Sequence, residues 1–157
     1  MPASASDSRW PSNGTLLFLA IAQRDKNPIA MNIPEELRYT KDHEWVRVEG
    51  EEVVIGITDF AQDALGDVVF VALPEVGSSV SVGDAVGEVE STKSVSEIYA
   101  PVSGTVVARN DAVETAPETV NADPYEGGWL FVLQPDDPEA VESLLSAEDY
   151  EALVHEI

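Results

Sequence analysis

Cysteine is absent from the 157 residues, histidine occurs twice, and Lys and Arg together number 8 against 30 Asp and Glu. Without cysteine there is no disulfide stapling, no thiolate nucleophile, no iron–sulfur cluster and no Cys-ligated zinc. His43 and His155 do not make a His-rich metal centre. The formal net charge of −22 repels polyphosphate and anionic lipid, so neither nucleic acid nor a membrane surface is an expected partner. The longest apolar run, Leu16 to Ala22, has seven residues, far below the roughly 20 that cross a bilayer. A soluble chain of this length is expected to form one domain, burying roughly 70% of its unfolded surface.

The charge is unevenly placed. Residues 1–30 hold three basic and two acidic side chains, whereas residues 31–157 hold five basic and 28 acidic ones. The leading segment is rich in Ser, Ala, Pro and Gly up to Thr15, then reads LLFLAIA and a polar QRDKNP. That order imitates an export signal, but it has a single Arg before a short apolar stretch and no small-x-small cleavage site. Residues 1–30 are therefore expected to be an extension, disordered or produced by an early start, with Met31 opening a functional domain over 31–157. The acidic excess reads as a solvated coat suited to a salty cytoplasm, where a Debye length of roughly 3 Å at 1 M makes self-repulsion tolerable. A halophilic source is the expectation.

From Leu37 onward, short β-segments alternate with turn residues. EWVRV (44–48) and VVIGI (53–57) flank a polar Glu-Gly-Glu-Glu link and predict a hairpin. Thr58 caps a two-turn helix over 59–65, closed by Gly66. VVFVAL (68–73) is a continuous apolar run of the kind buried on both faces. AVGEVE (85–90), VSEIYA (95–100), GTVVARN (104–110) and WLFVLQ (129–134) complete seven predicted strands. Asp137-Pro138 and Ser146 open two short C-terminal helices, and residues 121–125 read as a turn. Trp45, Phe70, Trp129 and Phe131 are expected in the core, His43 in a structural hydrogen bond, and His155 exposed. The fold class is mostly β: a sandwich or flattened barrel with peripheral and C-terminal helices.

The informative stretch is GEVESTKSVSEIYAPVSG (87–104), where two strands meet at Ser91, Thr92, Lys93 and Ser94. Lysine in a turn is ordinarily unremarkable. Here residues 31–157 contain only Lys41 and Lys93, and one of them stands at a hairpin apex. Such an apex lets a modifying enzyme reach a side chain whose orientation the flanking ladder holds. A lysine ammonium is not a nucleophile, so acylation there requires an enzyme that removes the proton.

ESTKSVSEIYAPVSG, with KDHEW (41–45), GITDFAQDALGDVVFVALPEVG (56–77) and VNADPYEGGWLFVL (120–133), resembles the H-protein family of the glycine cleavage system. The likeness implies a barrel-sandwich hybrid of two antiparallel sheets and a non-catalytic carrier with lipoic acid on Lys93. It also implies an acid-lined cleft that docks the aminomethyl-loaded arm. Glu44 matches the family's carboxylate, while Glu97 stands where Asp is common and Asp42 where a small polar residue is usual. Thr92 and Ser94 replace the usual Val and Ala beside the lysine. Neither neighbour is Met, which favours lipoate over biotin. The implied partners are glycine decarboxylase (a pyridoxal-phosphate enzyme), the tetrahydrofolate-dependent aminomethyltransferase, dihydrolipoamide dehydrogenase, and a lipoate ligase or lipoyltransferase, all cytoplasmic. Two alternatives stay open at this point: a relay that donates lipoate to other complexes, and an unmodified β interaction domain.

Overall fold

The computed structural model describes residues 32–155, so the expectation for residues 1–30 lies outside the described residues. Residues 33–157 form one compact unit. Among the described residues, nine strands make two antiparallel sheets. The six-stranded sheet runs β1 (Arg38–Tyr39), β2 (Glu44–Glu49), β3 (Glu52–Ile57), β9 (Phe131–Pro135), β8 (Gly104–Arg109), β5 (Ser79–Val80). The three-stranded sheet runs β4 (Val68–Ala72), β6 (Ala85–Ser91), β7 (Val95–Tyr99). The helices of the described residues are α1 (Asp59–Leu65), α2 (Asp111–Thr115), α3 (Glu118–Ala122), a 3-10 turn over Pro138–Ser143, and α4 (Ala147–His155).

The period-2 alternation of β2 and β3 explains how one sheet serves two cores. Val46 pairs with Ile55 and both face the inter-sheet core, with Val71 of β4, Val89 of β6, Ile98 of β7 and Phe131 of β9. Trp45 and Val54 point the other way into a second cluster with Tyr39, Tyr125 and Tyr150, which α4 covers. Tyr39 and Tyr150 stack with ring centroids 4.7 Å apart. Gly56 lies opposite Trp45 in the ladder, and a Cβ there would meet the indole at 2.6 Å. Glycine at this position is the space in which the fully buried Trp45 sits. The link between β2 and β3 is the two-residue turn Gly50-Glu51, with Gly50 at φ 66° in the first position, where a type II′ hairpin places glycine.

The structure corrects several expectations. The run Val68–Leu73 is not buried on both faces. It forms an edge strand with a bulge between Val68 and Phe70, leaving Val69 and Phe70 52% and 50% exposed, so Phe70 is no core residue. Residues 121–125 are not a single turn, because Asn121 and Ala122 end α3. The helix expected over 139–145 is a 3-10 turn over Pro138–Ser143 that stops before Leu144 and Leu145, and β9 begins at Phe131 while Trp129 is half-buried before it. Two-residue strands β1 and β5 and five-residue helices α2 and α3 are too short for a periodic pattern to announce them.

Candidate functional site

The β6–β7 hairpin carries Lys93 at its apex. Glu90 pairs with Val95, and Ser91 N–H donates to the Ser94 carbonyl at 2.8 Å, so four residues bridge the strands as their polarity implied. The turn is organised by Ser91 Oγ, which accepts from the N–H groups of Lys93 (3.3 Å) and Ser94 (3.1 Å) and donates to the Ser94 carbonyl. One short side chain thus serves two backbone N–H groups and one carbonyl of the tip.

A second tether joins the tip to the body. Thr92 N–H donates to the Asp67 carbonyl at 3.3 Å. The segment that supplies that carbonyl is held on either side by Asn121, whose Oδ1 accepts from Val68 N–H at 2.8 Å and whose Nδ2 donates to the Gly66 carbonyl at 2.9 Å. Gly66 closes α1 at φ 85°, a conformation that favours glycine, and a Cβ there would meet Lys93 Cε at 3.4 Å. The lysine stem therefore lies along the bare backbone at the helix end. Lys93 itself is exposed, and among the described residues it makes no salt bridge.

Beside the tip opens a cleft of about 260 Å³, walled by Ser94, Val95, Ser96 and Glu97 on one side and by His43, Phe60 and Leu65 on the other. The structure brings the three acids singled out in the sequence to this one cleft, in different settings. Asp42 and Glu97 are exposed, and Glu97 Oε1 accepts from the Tyr99 hydroxyl at 3.1 Å. Glu44 is 1% exposed. Its Oε2 accepts from Tyr99 N–H at 2.7 Å and its Oε1 from the Thr40 hydroxyl at 3.1 Å. Desolvation outweighs those two hydrogen bonds and pushes the Glu44 carboxyl up to about 8, with the Asp42 charge adding to the rise. At neutral pH it is therefore largely a neutral acid. Glu44 also borders a second, mostly apolar hollow of about 330 Å³ on its far side, lined by Tyr39, Tyr99 and Leu144.

Sequence reasoning did not assign functional weight to Ser91, Asn121 or Gly66. The turn position of Ser91 was the one available signal, since Asn121 acts across more than 50 residues of chain. His43 makes the structural hydrogen bond expected of it, with Nδ1 2.8 Å from Tyr150 Oη, and His155 is exposed.

A two-sheet sandwich that offers an exposed lysine at the apex of a hairpin, next to an acid-floored cleft, defines a carrier domain of the lipoyl and biotinyl type. The residues fit a covalently held acyl arm: the amine is solvent-accessible, its stem is supported, and the neighbouring cleft is partly apolar with a buried acid. The family model described as Glycine cleavage H-protein matches residues 37–157. The H protein of Geobacillus kaustophilus (strain HTA426) is 59% identical over 126 residues, covering 80% of this chain and 99% of that protein. The H protein of Anaeromyxobacter dehalogenans (strain 2CP-1) is 56% identical over 126 residues, covering 80% of this chain and 98% of its own. The crystal structure of a glycine cleavage system H protein from Mycobacterium marinum superposes with a TM-score of 0.73 at 47% identity, over 78% of this chain and 99% of that one. The chain belongs to the glycine cleavage H-protein family. It is the lipoyl carrier of the glycine cleavage system and not a catalyst, its cofactor is lipoic acid held covalently on a lysine, and its partners are the other proteins of that system.

Proposed function

We propose that Lys93 is the lipoylated residue and that residues 31–157 form the lipoyl-carrier domain. The observation that carries this is the exposed amine of Lys93, free of any salt bridge among the described residues and standing on a tip braced by Ser91 and Asp67. When bound, the lipoyl group supplies a disulfide–dithiol couple that accepts the aminomethyl group of glycine from the decarboxylase and yields it to the aminomethyltransferase. Lysine plus lipoyl gives a reach of about 14 Å, at roughly 1.2 Å of advance per covalent bond. Dihydrolipoamide dehydrogenase and a lipoate ligase or lipoyltransferase complete the partner set.

The chain's own part is to hold, orient and shield. Asp42 and Glu97 present carboxyl groups at the cleft rim and Glu44 lies at its buried floor. An ammonium arriving beside Glu44 favours the carboxylate form, so Glu44 releases its proton as it takes up the cation. The resulting ion pair is desolvated and stronger than an exposed one. The partly apolar walls, Phe60, Leu65 and Val95 among them, keep water from a labile amine. The acidic coat suits a halophilic cytoplasm, and both are our reading of the charge balance.

Intact-mass spectrometry on chain purified from its native cytoplasm tests the assignment. A mass increase of one lipoyl group, abolished by Lys93→Arg and kept in Lys41→Arg, is expected. A fully unmodified native chain, or a modification that survives Lys93→Arg, overturns it. Full lipoylation without glycine–bicarbonate exchange in the presence of a matched decarboxylase would point to a lipoate relay instead.

A further inference from the structure

His43 Nδ1 lies 2.8 Å from Tyr150 Oη, which in turn lies 2.8 Å from Thr58 Oγ1. Thr58 is fully buried, and its Oγ1 already accepts from Ala61 N–H at 3.2 Å. Among the described residues Tyr150 Oη is the one acceptor within reach of the Thr58 hydroxyl proton. A buried hydroxyl left without an acceptor is destabilising, so Thr58 donates to Tyr150 and Tyr150 donates to Nδ1. Nδ1 is then an acceptor, and the proton of the neutral ring sits on Nε2. Burial lowers the His43 pKa against the opposing pull of Asp42. Protonating the ring would also put a donor on Nδ1 and leave either the Tyr150 or the Thr58 hydroxyl proton without an acceptor.

Nε2 has no partner among the described residues. The ring packs on Phe60 with centroids 4.8 Å apart and walls the same cleft that Glu44 floors. His43 holds φ 69°, and it is the sole non-glycine at positive φ among the described residues. Histidine tolerates that region better than most residues, and such conformations persist where the surroundings over-determine them.

We infer that His43 is a positioning residue of the cleft: the Thr58–Tyr150 hydroxyl chain fixes its ring with the proton on Nε2, and that N–H is held for a hydrogen-bond acceptor on the arm entering beside Glu44. This rests on the reading that the arm of Lys93 enters the cleft. Paired with Glu44, the ring gives the cleft one donor and one cation-seeking acid on consecutive residues. The cleft therefore selects a ligand end that has an amine next to an acceptor atom over one that is only apolar.

Long-range proton–nitrogen correlation spectra of the full, unmodified chain read the tautomer directly. A ring protonated on Nε2 with a bare Nδ1 is expected, and a ring protonated on Nδ1, or an even mixture, overturns the inference. Tyr150→Phe removes the donor while keeping an aromatic ring against Tyr39, and mixing of the two tautomers is expected. In the lipoylated chain, arm attachment should shift the His43 Nε2 resonance. The reduced dithiol should react with iodoacetamide about two- to tenfold faster in Tyr150→Phe than in the unsubstituted chain. His43→Asn, which tolerates the left-handed backbone but lacks the reach of the ring, should give the same acceleration. A fully lipoylated chain whose His43 resonance is unmoved and whose alkylation rates match in both variants sinks the inference and leaves the carrier reading intact. Failure of the carrier reading shows separately, as a missing lipoyl mass.

Discussion

Replacing Glu44 with glutamine removes one titrating group from the cleft floor while leaving an amide that can still accept from Tyr99 N–H. In the folded chain the Glu44 carboxyl is pushed from 4.5 up to about 8 by burial. The unfolded chain loses that proton near the ordinary value, so across the window between them the folded state binds more protons and stability must fall as pH rises. Between pH 6 and pH 8 the loss works out at about 2 kcal/mol, given 1.36 kcal/mol per pH unit and half-ionisation at the upper end. His43 titrates in the opposite sense, since its lowered pKa lets stability rise with pH up to about 6.5. It is present in both chains and cancels in the difference. Urea unfolding at several pH values, in about 1 M salt to screen the acidic surface, gives that difference by linear extrapolation. The unsubstituted chain should lose about 2 kcal/mol relative to Glu44→Gln from pH 6 to pH 8 and level off above. A difference that is flat across the window, or that grows in favour of the unsubstituted chain, refutes the claim that Glu44 is a neutral acid when the cleft holds no cation.

Two further substitutions test the scaffold. Gly56→Ala drives a methyl into the Trp45 ring and should destabilise by about 1–3 kcal/mol, read as a lower urea midpoint with shifted tryptophan emission, and an unchanged midpoint would show that the indole has room to move. Ser91→Ala withdraws the hydroxyl that serves Lys93 and Ser94, so hydrogen exchange at those two amides should quicken by about tenfold while the core strands keep their protection; equal exchange would mean the turn holds itself.

What the sequence discloses follows from how local the cause is. The β2–β3 hairpin, α1 with Thr58 and Gly66 at its ends, and the Lys93 apex were legible because alternation, capping and turn chemistry act over a few residues. Lys93 stood out further by scarcity. The bulge in β4 was illegible, because Val68, Val69, Phe70 and Val71 look alike in a string whichever way each points. Asp42, Glu44 and Glu97 were named as a docking set through family resemblance alone. That they border one cleft depends on pairing Glu44 with Ile57 and on the packing of the two sheets. The burial that makes Glu44 a weak acid, and the His43–Tyr150 bond spanning 107 residues, belong to tertiary structure and leave no local trace.

Lys93 and the wall formed by residues 94–97 share one short ribbon of chain. On the proposed assignment of the arm to Lys93 and of its cargo to the neighbouring cleft, an enzyme that clasps the ribbon to draw out the tether also covers the recess in which the cargo shelters. Visitors must therefore come one after another, each leaving before the next can land. The pace of the cycle then rests on how quickly each lets go, which sets an upper limit on how tightly any of them can evolve to hold on.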